Sequence, residues 1–142
     1  MKYFTLAMYP YITKKYTSLF EPLLKKYGLT QAEVDVLAFL HNNPEYNHAQ
    51  DIVDVRGISK GHVSMAVEKL VHKGYLDRQP DPHNRRCNIL TINASAKKLV
   101  NEMIAIQNHF NQTAYTAICE EDKAVFHEVL YQIYQNLGGG KG

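Results

Sequence analysis

Residues 58–93 read ISKGHVSMAVEKLVHKGYLDRQPDPHNRRCNILTIN, which sets one helix, one tight turn and two short strands in succession. Ser59 is placed to cap the helix, because its hydroxyl can accept from an otherwise unpaired amide of the first turn. Val63, Val67, Leu70 and Val71 then recur at helical spacing beside Ala66, so one face is apolar. Gly61, Ser64, Met65 and Glu68 fall on the other face, flanked by Lys60, His62 and Lys69. Gly74 stands where a helix ends on a left-handed residue, and Lys73 before it suits the negative end of the helix dipole. Strand-like runs at 75–79 and 87–92 follow, joined by a loop that ends in Arg85-Arg86. Within that loop, Asp81-Pro82-His83-Asn84 has the residue order of a type I turn. A capped helix with small polar residues near its start, then a basic hairpin, suits a major groove and the groove beside it.

Upstream, Thr30 with Glu33 three residues later predicts a capping box at the start of a second helix. Val34, Leu37, Ala38, Leu40 and His41 form its expected buried face, and Asn42-Asn43-Pro44 stops it. Asn47 or His48 opens a short third helix with Ala49, Ile52 and Val53 inward, and Arg56-Gly57-Ile58 turns the chain into the helix at 59. The order helix, helix, helix, hairpin predicts a winged helix-turn-helix module over residues 28–93. The fold class is therefore mainly α, with a small β wing of two or three strands.

Both flanks of that module are expected to be helical. In residues 3–27 the apolar spacing is helical from Pro10, and Pro22 should kink the helix near Ser18 or restart it there. Beyond Asn93, the stripe Leu99, Met103, Ile106, Phe110 predicts one helix. The acids at 120–122 mark the start of another, whose apolar face runs from Val125 to Leu137. The glycine-rich end at 138–142 reads as a flexible tail. Residues 1–27 and 94–137 are more apolar than one winged module can cover, so they are expected to form a homodimer interface.

Bulk properties narrow the classes. With 142 residues and 45% hydrophobic composition the chain fits one domain and excludes wholesale disorder. No apolar run reaches membrane-spanning length. Residues 1–12 lack the pattern of a signal peptide, so a cytoplasmic location and no membrane partner are expected. The net charge of +2 is unevenly spread. Between residues 56 and 86 seven Lys or Arg stand against three acids, a net of +4, leaving −2 for the remainder. Positive charge is thus gathered where phosphate is expected. The two cysteines, Cys87 opening a strand and Cys119 late in a helix, do not form a disulfide framework. Seven histidines show no paired-ligand spacing, and no nucleophile motif or phosphate loop is present. No metal, cofactor or enzymatic activity is expected.

The same residues resemble the DNA-reading half of the MarR family of winged-helix regulators. The likeness lies in Ser59, Val63-Ser64, Leu70, Lys73-Gly74-Tyr75-Leu76, Arg78, Asp81, Arg85-Arg86 and the apolar strand to Ile92. It extends upstream through Gly28-Leu29-Thr30-Gln31, Val36-Leu37 and Ala49-Gln50-Asp51-Ile52. Asn84 stands where the family usually has an acid, Asn93 where it has Thr, and Ala96 where it has Gly. The resemblance implies a dimeric regulator of transcription, a repressor of a near-palindromic operator, released by a small aromatic or lipophilic effector bound between the dimer helices and the winged module. It also argues against sensing by cysteine oxidation, because relatives that do so carry the cysteine in the first helix and this chain has none there.

The expected partner is double-stranded DNA. Ser59 and Lys60 would position the helix on phosphate, while Gly61, His62, Ser64 and Met65 approach base edges with Lys69 alongside. Of Arg85 and Arg86, one would enter a minor groove and the other brace the wing through Asp81. Tyr11, Tyr16, His41 and Arg56 are the expected lining of an effector cleft. The alternative reading is a winged-helix module that contacts protein or RNA without reading sequence.

Overall fold

The computed structural model describes residues 6–140, so Tyr3 and the last two residues of the glycine-rich end lie outside it. In chain order the elements are α1 (Met8–Ser18), α2 (Glu21–Tyr27), α3 (Gln31–Asn42), α4 (Ala49–Arg56), α5 (Lys60–His72), β1 (Leu76–Asp81), β2 (Asn84–Ile92), a 3₁₀ turn (Ala94–Ala96), α6 (Lys97–Ala114) and α7 (Glu120–Asn136). This is a winged helix-turn-helix carried between helical arms.

Local chemistry explains most boundaries. The first helix breaks after Ser18 and restarts at Glu21, which puts Pro22 in a first turn where its missing N–H is no loss. Thr30 and Ser59 cap α3 and α5, each hydroxyl accepting the amide three residues on. Gly57 ends α4 at φ 66° and Gly74 follows α5 at φ 78°, a backbone region costly for residues with a Cβ. Asn93 caps the 3₁₀ turn by accepting from the amide of Ser95 at 2.8 Å.

The core gathers where α3, α5 and the first half of α6 meet, with Ile52 of α4 and Leu76 and Leu90 of the hairpin. It runs past both ends of the expected module. Phe20 and Leu23 enter it from one side, and Leu99, Val100 and Met103 from the other. By contrast α1 and α7 bury no residue. Met8, Tyr11 and Ile12 on the first, and Val125, Phe126, Val129, Leu130 and Ile133 on the last, face outward in the single chain. One bond ties α7 back to the module: Tyr134 Oη donates to the carbonyl of Val55 at the end of α4, 2.9 Å away. Gly138 and Gly139 turn back onto α7, donating to the carbonyls of Gln135 and Tyr134.

Several local expectations are corrected. The strands are longer than the apolar runs suggested, so Arg85 and Arg86 belong to β2 and not to a loop. Antiparallel pairing runs from Leu76↔Ile92 to Pro80↔Asn88, then slips to Asp81↔Asn84, leaving residues 85–87 as an unpaired bulge. His41 is exposed and Ala38 half-buried; Phe39 and Val36 take the places expected for them in the core. Cys119 is not late in a helix but the N-cap of α7. Glu33 does not complete a capping box. Its carboxylate is buried, at 1% exposure, and pairs with Lys73 across the module at 2.7 Å.

Candidate nucleic-acid interface

The exposed face of α5 holds Lys60, Gly61, His62, Ser64, Met65, Glu68 and Lys69, because Val63, Ala66, Val67 and Leu70 commit the opposite face to the core. A Cβ built on Gly61 would meet nothing within 4 Å, so packing inside the chain does not demand glycine there. The missing side chain instead lowers the profile of the first turn toward whatever docks on it. Met65 is 58% exposed, and an unpacked apolar side chain on this face matches a thymine methyl. Ser59 Oγ accepts from the amide of His62 at 3.3 Å and lies 2.7 Å from that residue's Nδ1, so the first turn is braced by its own cap.

Beside this face a groove of about 350 Å³ separates α5 from the hairpin and the start of α4. Lys60, Ser64, Arg86 and Asn88 line it, whereas Arg85 does not. Both arginines are exposed, and among the described residues neither joins an ion pair. Arg78 is held differently, its Nη1 donating to Glu68 Oε2 at 2.8 Å across the groove. Cys87 lines the same groove as Lys60, Arg78 and Arg86.

The wing is braced by a histidine rather than by an arginine. Asp81 is buried at the hairpin turn; its Oδ2 meets His48 Nε2 at 2.7 Å and its Oδ1 accepts the amide of His83 at 2.8 Å. The His83 amide, and then His48, hold the Asp81 carboxyl below its ordinary value. His48 also stands at the N-cap of α4, where its own amide donates to Asp51 at 3.0 Å. The backbone adds a second link, Leu90 N–H to the carbonyl of Asn47 at 2.8 Å. Asn84, in place of the family's usual acid, accepts from the amide of Arg86 at 3.2 Å and so shapes the bulge locally. His48 lies 33 residues from Asp81, and only its N-cap position before Asp51 was visible locally.

At the far end of α5, Lys73 Nζ donates to Glu33 and to the carbonyl of Gly28, at 2.7 and 2.8 Å, pinning α5 to the start of α3. Near the arms, Tyr16 and His41 line one cavity of about 330 Å³ together with Ile104, Phe110 and the amides of Gln107 and Asn108. Tyr11 and Arg56 do not line it. Tyr11 is exposed beneath the Lys15 ammonium, and Arg56 pairs with Asp35 at 3.5 Å. Among the described residues, no group of three or more His, Cys, Asp or Glu is placed to hold a metal ion.

A braced, outward-facing helix beside a cationic bulged hairpin defines a DNA-binding protein of the winged helix-turn-helix class. The MarR family profile matches residues 27–86, from the end of α2 into β2, and over that stretch the chain is similar to the MarR family. The HTH-type transcriptional regulator BilQ of Clostridium symbiosum is 23% identical over 138 residues, spanning 96% of this chain and 92% of that protein. Among solved structures, S. aureus MepR in complex with DNA superposes with a TM-score of 0.59 at 19% identity, covering 94% of this chain and 99% of that one. BpsR of Bordetella bronchiseptica, whose DNA binding is regulated by 6-hydroxynicotinic acid, gives 0.68 at 20% identity, covering 89% and 96%.

Proposed function

We propose that the protein is a cytoplasmic, homodimeric transcriptional repressor that binds double-stranded DNA at a near-palindromic operator. The observation that carries this reading is the free cationic pair Arg85 and Arg86 on the wing, set across a groove from an exposed and capped reading helix. Ser59 through its backbone N–H and Lys60 through its ammonium contact phosphate; Gly61, His62, Ser64 and Met65 approach bases, with Lys69 at the edge. The outward apolar faces of α1 and α7 supply the dimer, and two-fold symmetry then sets half-sites about one helical turn apart. DNA binding in MepR and BilQ's role as a transcriptional regulator support the reading.

A small aromatic or lipophilic effector fits the same scheme. Its site is the cavity holding Tyr16 and His41, apolar along Ile104 and Phe110 and lined elsewhere by amides. Regulation of BpsR by 6-hydroxynicotinic acid supports an aromatic ligand. The test is selection of bound duplexes from a random pool, at two salt concentrations. A symmetric enriched site supports the proposal. Equal competition by random DNA overturns it in favour of an interaction module that reads no sequence.

A further inference from the structure

The cap of α5 also determines how one of its residues presents itself to a base. His62 is exposed in the first turn, next to the open position of Gly61. Its ring is held at Nδ1, 2.7 Å from Ser59 Oγ, which leaves Nε2 as the polar atom available to a partner. We propose that Ser59 fixes His62 in the tautomer protonated at Nε2, making His62 a specificity-determining donor to guanine in the major groove; this rests on the DNA-binding reading above.

The argument is one of counting protons. A serine hydroxyl has one proton to donate and two lone pairs to accept with. One lone pair of Ser59 Oγ takes the His62 amide at 3.3 Å. Directing the hydroxyl proton into the Nδ1 lone pair then satisfies both partners, and a neutral imidazole that accepts at Nδ1 carries its hydrogen on Nε2. The opposite tautomer would fill both lone pairs of Ser59 Oγ, with the His62 amide and the ring N–H, and turn the hydroxyl proton away from the ring. It would leave the hydroxyl proton without an acceptor in the first turn, at a surface that loses water on docking. Four base edges are available to an outward Nε2–H. Guanine offers two acceptors, O6 and N7, side by side; adenine sets an amino donor beside N7, thymine a methyl beside O4, and cytosine offers a donor. A single N–H donor therefore fits guanine best.

The experiment compares three forms of the full chain, wild type, His62→Ala and Ser59→Gly, in site selection from a random duplex pool at one salt concentration. Glycine is well tolerated at an N-cap, so Ser59→Gly keeps the helix and removes the hydroxyl. One position in each half-site should lose its guanine in His62→Ala and show weakened guanine preference in Ser59→Gly. Replacing that guanine by 7-deazaguanine or by 6-thioguanine, which alter N7 and O6 in turn, should with at least one of them weaken wild-type binding about fivefold, the low end for one good base contact, and leave His62→Ala unchanged. Cytosine or adenine selected at that position, or equal binding by wild type of guanine and both analogues, overturns the proposal with the DNA-binding reading intact. A pool in which wild type enriches no sequence overturns that reading as well.

Discussion

Two amphipathic helices of this chain meet opposite fates. α5 turns Val63, Ala66, Val67 and Leu70 into the core, while α7, with 17 residues to its 13, buries none. Both carry apolar residues at helical spacing, so the difference lies in what the chain supplies opposite each face. α5 has α3 and the hairpin to pack on; among the described residues α7 reaches the module through one hydrogen bond, from Tyr134 to the end of α4, and otherwise bonds through His127 to Tyr115 just past α6. Periodicity tells which face seeks cover, and only the assembled chain tells whether the cover is its own.

The sharpest way to break this contrast is to place a carboxylate on each face. An unpaired ion costs several kcal/mol to bury, against a total stability of roughly 5–15 kcal/mol. Leu70→Asp should therefore unfold the winged module outright. Leu130→Asp should leave helix content near that of the parent and split the dimer, which light scattering at low micromolar concentration would report as the mass of one chain. If Leu130→Asp melts as early as Leu70→Asp, α7 is covered within its own chain. A single-chain mass for the unaltered protein would remove the dimer altogether.

A smaller effect separates the two ends of α5. Lys73 is the only cation on the buried Glu33 carboxylate among the described ion pairs. Lys73→Met should destabilise the module by about 3 kcal/mol in urea unfolding, because it leaves that carboxylate unpaired. Glu33→Gln should cost less, since Lys73, with its side chain 30% exposed, still reaches water and the Gly28 carbonyl. Equal losses for the two variants would mean that the pair acts through charge balance at the surface and not through the buried acid.

How much of this was legible in the sequence follows from the range of each interaction. Ser59, Thr30, Gly57, Gly74 and Pro22 act within a turn of themselves, and the helix ends fall where they predict. The outward face of α5 was equally legible, since its inward residues declare the outward ones. Contacts across long separations were not. Glu33 has the look of a capping residue until Lys73, 40 residues on, comes over it. Asp81 has an arginine pair four residues away in sequence and yet meets His48. The bulge at 85–87 carries both arginines away from the turn. Of the four expected effector residues, only Tyr16 and His41 share a cavity, because Arg56 is taken by Asp35 at the HTH turn.

The wing brace gives a pH signature of its own, beside that of Glu102 in the arms, whose carboxyl is lowered by its bond from Lys26. Asp81 has its carboxyl lowered in the folded chain, by the His83 amide first and His48 second. A carboxyl lowered by folding contributes stability fully present above its unfolded value, and that contribution is lost as pH falls through the folded one. The loss therefore begins near pH 4 and deepens below it. Asp81→Asn should flatten this acid limb in thermal melts taken between pH 5 and pH 2.5, with little change near neutrality beyond the lost His48 contact. An unchanged acid limb would assign it to other carboxylates.

The finest distinction is between adjacent arginines. Arg86 lines the groove with Lys60 and Ser64 of the reading helix, and Arg85, one residue earlier in the bulge, does not. In the proposed complex, a side chain in that groove would meet the phosphate strand between helix and wing, whereas one outside it would be free to enter the neighbouring minor groove. Neutralising a phosphate contributes a slope of about −0.9 to log affinity against log salt for B-DNA. Arg86→Ala should thus lessen the slope by about 0.9 per half-site, twice that in a dimer, on every sequence alike. Arg85→Ala should change the slope less and lose most affinity on A·T-rich flanks, where the minor groove is narrow and its negative potential strongest. Binding curves over a range of salt, on operators differing only in their flanks, separate the two. Exchanged behaviour would mean that docking turns the bulge over. Unchanged affinity in both would take the wing off the DNA, leaving α5 as the whole of the interface and His48 with nothing to position.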